Sequence, residues 1–153
     1  MPSSAADTQR LLDERGVCDA LYRFAEGIDL RDWAAYRSAF ADAITFDYTS
    51  HRPGSAGSLP ADSWVSRARS RFETLDTTQH TMTNPRVTVH GDTATCAMYV
   101  QAWHGVVLDG VQRECTIGGR YVNDLVRVGA EWRISTLRLQ VRWTIGDRSI
   151  LDL

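Results

Sequence analysis

Hydrophobic positions recur at spacings of three, four and seven from about Thr8 to Asp29. Leu11, Cys18, Leu21, Tyr22, Ala25 and Ile28 carry the repeat, and Arg10, Arg15, Asp19, Arg23 and Glu26 fill much of the rest. This is the pattern of an amphipathic helix. A second, short helix follows with Trp33, Tyr36 and Phe40 on one face and Asp32 as its N-cap. A third starts near Ser58 or Pro60 and carries Trp64, Ala68, Phe72 and Leu75. Between the second and third, residues 44–49 alternate and predict a short strand, followed by a loop over 50–58. From Thr78 onward the period changes to two. Four long segments, at about 78–90, 93–108, 112–127 and 131–143, are joined by Gly91-Asp92, Asp109-Gly110 and Gly129-Ala130, which suit antiparallel hairpins. The predicted order is therefore α-α-β-α-β-β-β-β, an α+β fold with three N-terminal helices on one face of a strongly bent antiparallel sheet. Gly118-Gly119 in mid-strand predicts a bulge or sharp bend.

With 153 residues, 43% hydrophobic and 24% charged, the chain has the size of one globular domain over 1–153, with 1–7 and 146–153 as tails. A chain of this length buries roughly two-thirds of its unfolded surface and needs no disulfide or metal to fold. The net charge of −2 argues against a nucleic-acid partner. All 17 basic residues are arginine. With no lysine, Schiff-base chemistry, covalent pyridoxal phosphate and a phosphate-loop lysine are excluded. Cys18, Cys96 and Cys115 are scattered and odd in number, which predicts a reduced, cytoplasmic protein. The N-terminal residues are small and polar, without an apolar signal core, and no apolar run approaches the roughly 20 residues of a membrane span.

Four polar residues fall at positions predicted to face inward. Asp29 continues the line of Leu11, Cys18, Tyr22 and Ala25 at the end of the first helix, where the helix dipole disfavours a carboxylate, so a specific partner is expected. His80 alternates with Thr78, Met82 and Asn84 on a strand face of mixed polarity, as a pocket wall would be. His104 interrupts an apolar face made by Met98, Val100 and Ala102, and Tyr48 shares a face with Ile44 and Phe46. Each alone has a plainer reading: Asp29 a solvated aspartate at the helix end, His80 and His104 hydrogen-bonded sheet or core histidines, Tyr48 an aromatic core residue. Together they fit proton transfer: a carboxylate orients an imidazole and stabilises its charged form, while a tyrosine donates to an oxygen gaining charge. His51, in the loop, and His90, beside a turn, are expected at the surface. The nucleophilic route is poor, since Cys18 lies in a helix core and no G-x-S-x-G elbow exists. Asp47 should face away from Tyr48. A metal site of His80, His104 and Asp29 remains a weaker alternative without supporting ligand spacing.

The sequence resembles the SnoaL-like branch of the nuclear transport factor 2-like superfamily, which includes scytalone dehydratase, bile-acid dehydratases and hexachlorocyclohexane dehydrochlorinase. The resemblance runs from about Leu12 to Trp143. It is carried by residues 20–25 with Asp29 and Asp32-Trp33, by Phe40-Ala41-Asp42, Thr78-Gln79-His80 with Asn84, and Gly91-Asp92-Thr93-Ala94. Gly118-Gly119-Arg120-Tyr121 and Trp132-Arg133-Ile134 complete it. It implies a cone-shaped curled sheet closed by helices around a deep pocket. It also implies an Asp29–His80 dyad, with Tyr48 and His104 placed as in scytalone dehydratase. At the last strand, the arginine of the dehydrochlorinase is replaced by Leu137, with Arg138 on the opposite face, which counts against halide binding. The implied activity is a cofactor-independent lyase or isomerase, of dehydratase or cyclase type, on a small apolar cyclic, polyketide-like substrate. Tyr22, Trp33, Trp64, Met82, Asn84, Met98 and Val100 would bind it. The alternative is a non-catalytic ligand-binding module of the same fold. A homodimer packed sheet against sheet is implied by the same resemblance, with Tyr99, Trp103, Arg120 and Trp143 on the outer face. No cofactor, membrane or nucleic acid is expected.

Overall fold

The computed structural model describes residues 4–153. Helix α1 (Ala5–Asp29) and the short α2 (Trp33–Ser38) precede β1 (Phe40–Asp47) and β2 (Ala56–Pro60). Helix α3 (Ala61–Phe72) then leads into β3 (Thr77–His90), β4 (Thr93–Leu108), β5 (Val111–Val128) and β6 (Glu131–Gly146), and a 3-10 turn (Arg148–Asp152) follows. The six strands form one curled, open sheet in the order β2-β1-β6-β5-β4-β3.

Helix α1 begins three residues earlier than the apolar repeat, because Ser4 and Asp7 form a reciprocal capping box. Leu11, expected on the buried face, is 56% exposed: the first turns of α1 extend past the sheet, and the inward face starts at Asp13 and Val17. Asp32 caps α2 by accepting from the Ala35 N–H at 2.9 Å. Gly27 is required where α2 crosses α1, since a Cβ there would fall 2.7 Å from the Tyr36 backbone. Phe40, expected on α2, opens β1 instead.

The sheet departs from a purely antiparallel one in a single pairing, between β1 and β6, which run parallel. β2 falls where a loop was expected. It is a short, mostly exposed edge strand, and short edges limit unwanted pairing. The β5–β6 register shifts between Gly118 and Gly119, where the bend was expected, and again between Asp124 and Leu125. These shifts curl the long strands around the helical layer.

Alternation on the concave face is clean. Along β4, Ala94, Cys96, Met98, Val100, Ala102 and His104 point inward; along β5, Cys115, Ile117, Tyr121, Asn123 and Leu125 do so. Of these, Ala94, Cys96, Met98, Val100, Ala102, Tyr121 and Leu125 share one apolar core with Val17, Leu21, Phe24 and Ile28 of α1. The last residues are not a tail. Ile150 and Leu151 join Leu75, Val106, Cys115 and Ile117 in a second apolar cluster. On the convex face Tyr99 and Trp143 are exposed and border a shallow groove with Arg120. Trp103 bonds Glu114 at 3.2 Å. No described helix is long and apolar enough to cross a membrane.

Candidate active site

The end of α1 delivers Asp29 to the start of β3. Oδ2 accepts the backbone N–H of His80 at 2.6 Å, while Oδ1 accepts the Thr78 hydroxyl at 3.0 Å and lies 2.7 Å from His80 Nδ1. Both side chains are sheltered, His80 at 4% and Asp29 at 17% exposure. Burial pushes the Asp29 carboxyl up. The hydrogen bond from the His80 ring, the ring's charge, its backbone N–H and Thr78 outweigh this and hold it below the ordinary value. An ionised carboxylate accepts only, so Nδ1 carries the proton and Nε2 is the ring's basic nitrogen.

Arg31 keeps the carboxylate at the helix end. It sits in the left-handed region at φ 58, and its guanidinium donates to the Ile28 carbonyl at 2.5 Å, Thr78 Oγ1 at 2.9 Å and the Leu75 carbonyl at 3.1 Å. One arginine thus supplies the positive charge that a helix C-terminus favours and ties α1 to the chain entering β3. The strained backbone costs about 1–3 kcal/mol.

His80 opens onto a cavity of about 110 Å³ between α1, α3 and the sheet. His104 and Tyr48 line it as well. The two imidazoles lie 5.9 Å apart, centre to centre, and nearly perpendicular. His104 is buried and its Nδ1 faces the Cys115 carbonyl at 3.2 Å, which requires the proton on Nδ1. Burial first, then the charge of His80, lower its pKa to about 4, so the ring is neutral and its Nε2 is an acceptor. Tyr48, just beyond β1, places its hydroxyl 3.2 Å from that of Tyr121 on β5. Burial pushes the Tyr48 phenol well up and that of Tyr121 to about 12, so both stay protonated. Two hydroxyls share one contact, which leaves one proton to donate elsewhere. Behind them Tyr36 accepts from Trp64 Nε1 at 2.9 Å. The Phe24 ring contacts both Tyr121 and His80.

Of the expected binding residues, Trp64 and Val100 line the cavity. Five others do not. Met98 is buried in the core beneath the floor, and Tyr22, Trp33 and Met82 pack against that core from its margins. Asn84 is exposed at φ 56, where the β3–β4 register shifts and carries it away from the cavity. Leu137 is fully buried, and Arg138 faces Asp124 at 2.6 Å. Asp47 turns outward to Thr49. Among the described residues no group of three His, Cys, Asp or Glu is arranged to hold a metal ion.

His51 is a correction in the other direction. Expected at the surface, it is only 9% exposed and lines the cavity: Arg148 of the terminal turn donates to its carbonyl, and Ile150 and Leu151 of that turn line the same cavity. Tyr121 carried a usable signal, since odd-numbered positions of β5 face inward. Arg71 and Phe72 of α3 also line the cavity.

The model of a SnoaL-like domain matches residues 9–138. Among solved structures, the Kfla4162 protein from Kribbella flavida superposes with a TM-score of 0.87 at 23% identity, over 94% of this chain and 99% of that one. A candidate scytalone dehydratase from Novosphingobium aromaticivorans gives 0.78 at 16% identity, over 91% and 90%. A hexachlorocyclohexane dehydrochlorinase, LinA type 2, gives 0.77 at 19% identity, over 92% of each chain. At these identities the likeness concerns the fold. No curated protein matches the sequence.

Proposed function

The chain belongs to the SnoaL-like domain family, and from that premise we propose that it is a cofactor-independent lyase or isomerase acting on a small cyclic substrate. The observation that carries this reading is the Asp29–His80 pair at 2.7 Å, with the imidazole facing a sheltered cavity. Nε2 of His80 removes a proton from a carbon next to a carbonyl, or next to the carbon that bears a leaving hydroxyl. Asp29 holds the tautomer and stabilises the imidazolium. The free proton of the Tyr48–Tyr121 pair bonds the oxygen on which charge develops. His104, neutral and with its proton on Nδ1, accepts from a substrate hydroxyl through Nε2 and is not itself an acid. The imidazolium of His80 then returns its proton to the leaving oxygen, releasing water, or to another carbon, completing an isomerisation. Apolar walls strengthen each of these bonds by excluding water.

Proton exchange on cyclohexanone in deuterated water tests the reading without the natural substrate. The protein should accelerate deuterium entry next to the carbonyl, and His80→Ala and Asp29→Asn should each lower the rate by about 10²–10⁴-fold. Losses below about tenfold in both variants would refute the roles and leave a binding module as the better reading.

A further inference from the structure

The charge of the cavity runs against that of the chain. The protein carries a net charge of −2, yet the cavity lining includes Arg52, Arg67 and Arg71 and no aspartate or glutamate. Arg52 is paired with Asp152. Arg67 lies over the Phe46 ring at 5.4 Å, and Arg71 donates to the Leu151 carbonyl at 2.6 Å. Among the described residues neither Arg67 nor Arg71 forms an ion pair; Asp152, bound to Arg52, acts on Arg71 only at longer range. A guanidinium drawn into such a wall loses hydration that a single carbonyl replaces poorly, and a planar anion is its natural complement. Beside Arg71 on the same wall stands His51, nine-tenths buried; its Nδ1 is enclosed and meets no partner, which favours the ring proton on Nε2. Burial, then Arg71, Arg148 and Arg52, lower its pKa to about 4, so it adds a polar N–H without adding charge.

Size narrows the ligand. The space is about 110 Å³, against about 150 Å³ for an engineered cavity that holds benzene. One ring fills it, with the anionic group directed toward the open, arginine-lined wall.

We propose that the cavity takes a single-ring organic anion, its carboxylate or phosphate held by Arg71 and His51 while the ring lies among Phe72, Trp64 and Phe24 within reach of His80. This names the substrate class for the site assigned above and rests on that assignment only for its catalytic meaning. The wall binds an anion whether or not His80 transfers a proton.

Calorimetric titration of the full chain with benzoate, phenyl phosphate and methyl benzoate at low salt tests it. At least one anion should bind ten or more times tighter than the neutral ester, and the preferred anion identifies the group. Arg71→Gln should abolish the preference and Arg71→Lys should restore part of it. Because Arg71 also anchors the Leu151 carbonyl, His51→Gln serves as a second variant, with an expected severalfold loss for the anion and none for the ester. Absence of binding by both anions, equal binding of ester and anion, or an undiminished preference in Arg71→Gln would overturn the proposal. If the anion preference holds while His80→Ala leaves proton exchange unchanged, the catalytic reading fails and this inference stands.

Discussion

Replacing His104 by glutamine isolates the energetic cost of keeping an imidazole neutral inside this sheet. The ring is 5% exposed and stacked on Phe72. Charged or titratable groups reach it from three directions: His80 on β3, Arg71 on α3 and His51 from the turn after β1. Burial is the largest cause of its lowered pKa, and the Cys115 carbonyl partly opposes it. The folded value is about 4 against about 6.5 in the unfolded chain, and at about 1.4 kcal/mol per pH unit the gap comes to about 3 kcal/mol. Between these two values the unfolded chain binds more protons than the fold. The contribution is therefore complete above pH ~6.5 and is lost as pH falls toward ~4. Urea titrations followed by tryptophan fluorescence from pH 7.5 to 4.5 measure it. The wild type should lose stability steeply over this range. His104→Gln should start lower at pH 7.5, from lost packing, but fall less by about 2–3 kcal/mol, since pH 4.5 stops short of the folded value. His51 titrates in the same window and in the same direction, so some slope remains in the variant and should flatten further when both are replaced. Parallel pH curves for wild type and His104→Gln would show that the ring does not titrate as its burial requires.

The other expectations are shorter. Because Tyr121 keeps a free hydroxyl proton when Tyr48 alone is replaced, the double variant Tyr48→Phe with Tyr121→Phe removes the donor and should lower cyclohexanone proton exchange by about 10²-fold with little change in thermal midpoint. Gly119→Ala should destabilise by about 1–3 kcal/mol and exceed Gly118→Ala, measured by urea midpoint. A Cβ at 119 meets the Gln140 backbone carbonyl, which is fixed in the β5–β6 ladder, whereas one at 118 meets the Trp143 indole, which is partly exposed and can turn. All three cysteines are free and buried, and burial raises each thiol, that of Cys96 to about 12. A thiol reagent at pH 8 should leave the native protein unmodified and label three groups in urea.

The elements that announced themselves in the sequence are those whose burial is periodic. β3 to β6 fill one face of a sheet, so alternation and Gly-containing turns fix their limits to within a few residues. β2 is invisible by the same logic: Ala-Gly-Ser-Leu-Pro is a nearly exposed edge with no alternating face to read. The parallel pairing of β1 with β6 joins segments about ninety residues apart and leaves no local trace. The site divides similarly. Asp29 and His80 each broke a local rule, an acid at a helix C-terminus and a histidine on a mixed strand face, and the structure gives the compensation for both in one contact. His51 broke no rule. Its burial comes from the terminal turn folding back over a loop, which no local pattern records. Of the misplaced wall residues, Met98 faces inward as alternation requires but into the packed core, and Tyr22, Trp33 and Met82 pack at that core's margins, away from the cavity lining. Asn84 is lost to a bulge.

The most direct test of the central claim is the protonation pattern of the His80 ring, read from imidazole nitrogen resonances. The geometry predicts a proton on Nδ1, hydrogen-bonded to Asp29 and slow to exchange, and its transfer to Nε2 in Asp29→Asn, where the amide N–H₂ turns toward the ring. A wild-type ring with a bare Nδ1 and a protonated Nε2, or a pattern unmoved by Asp29→Asn, would contradict the account.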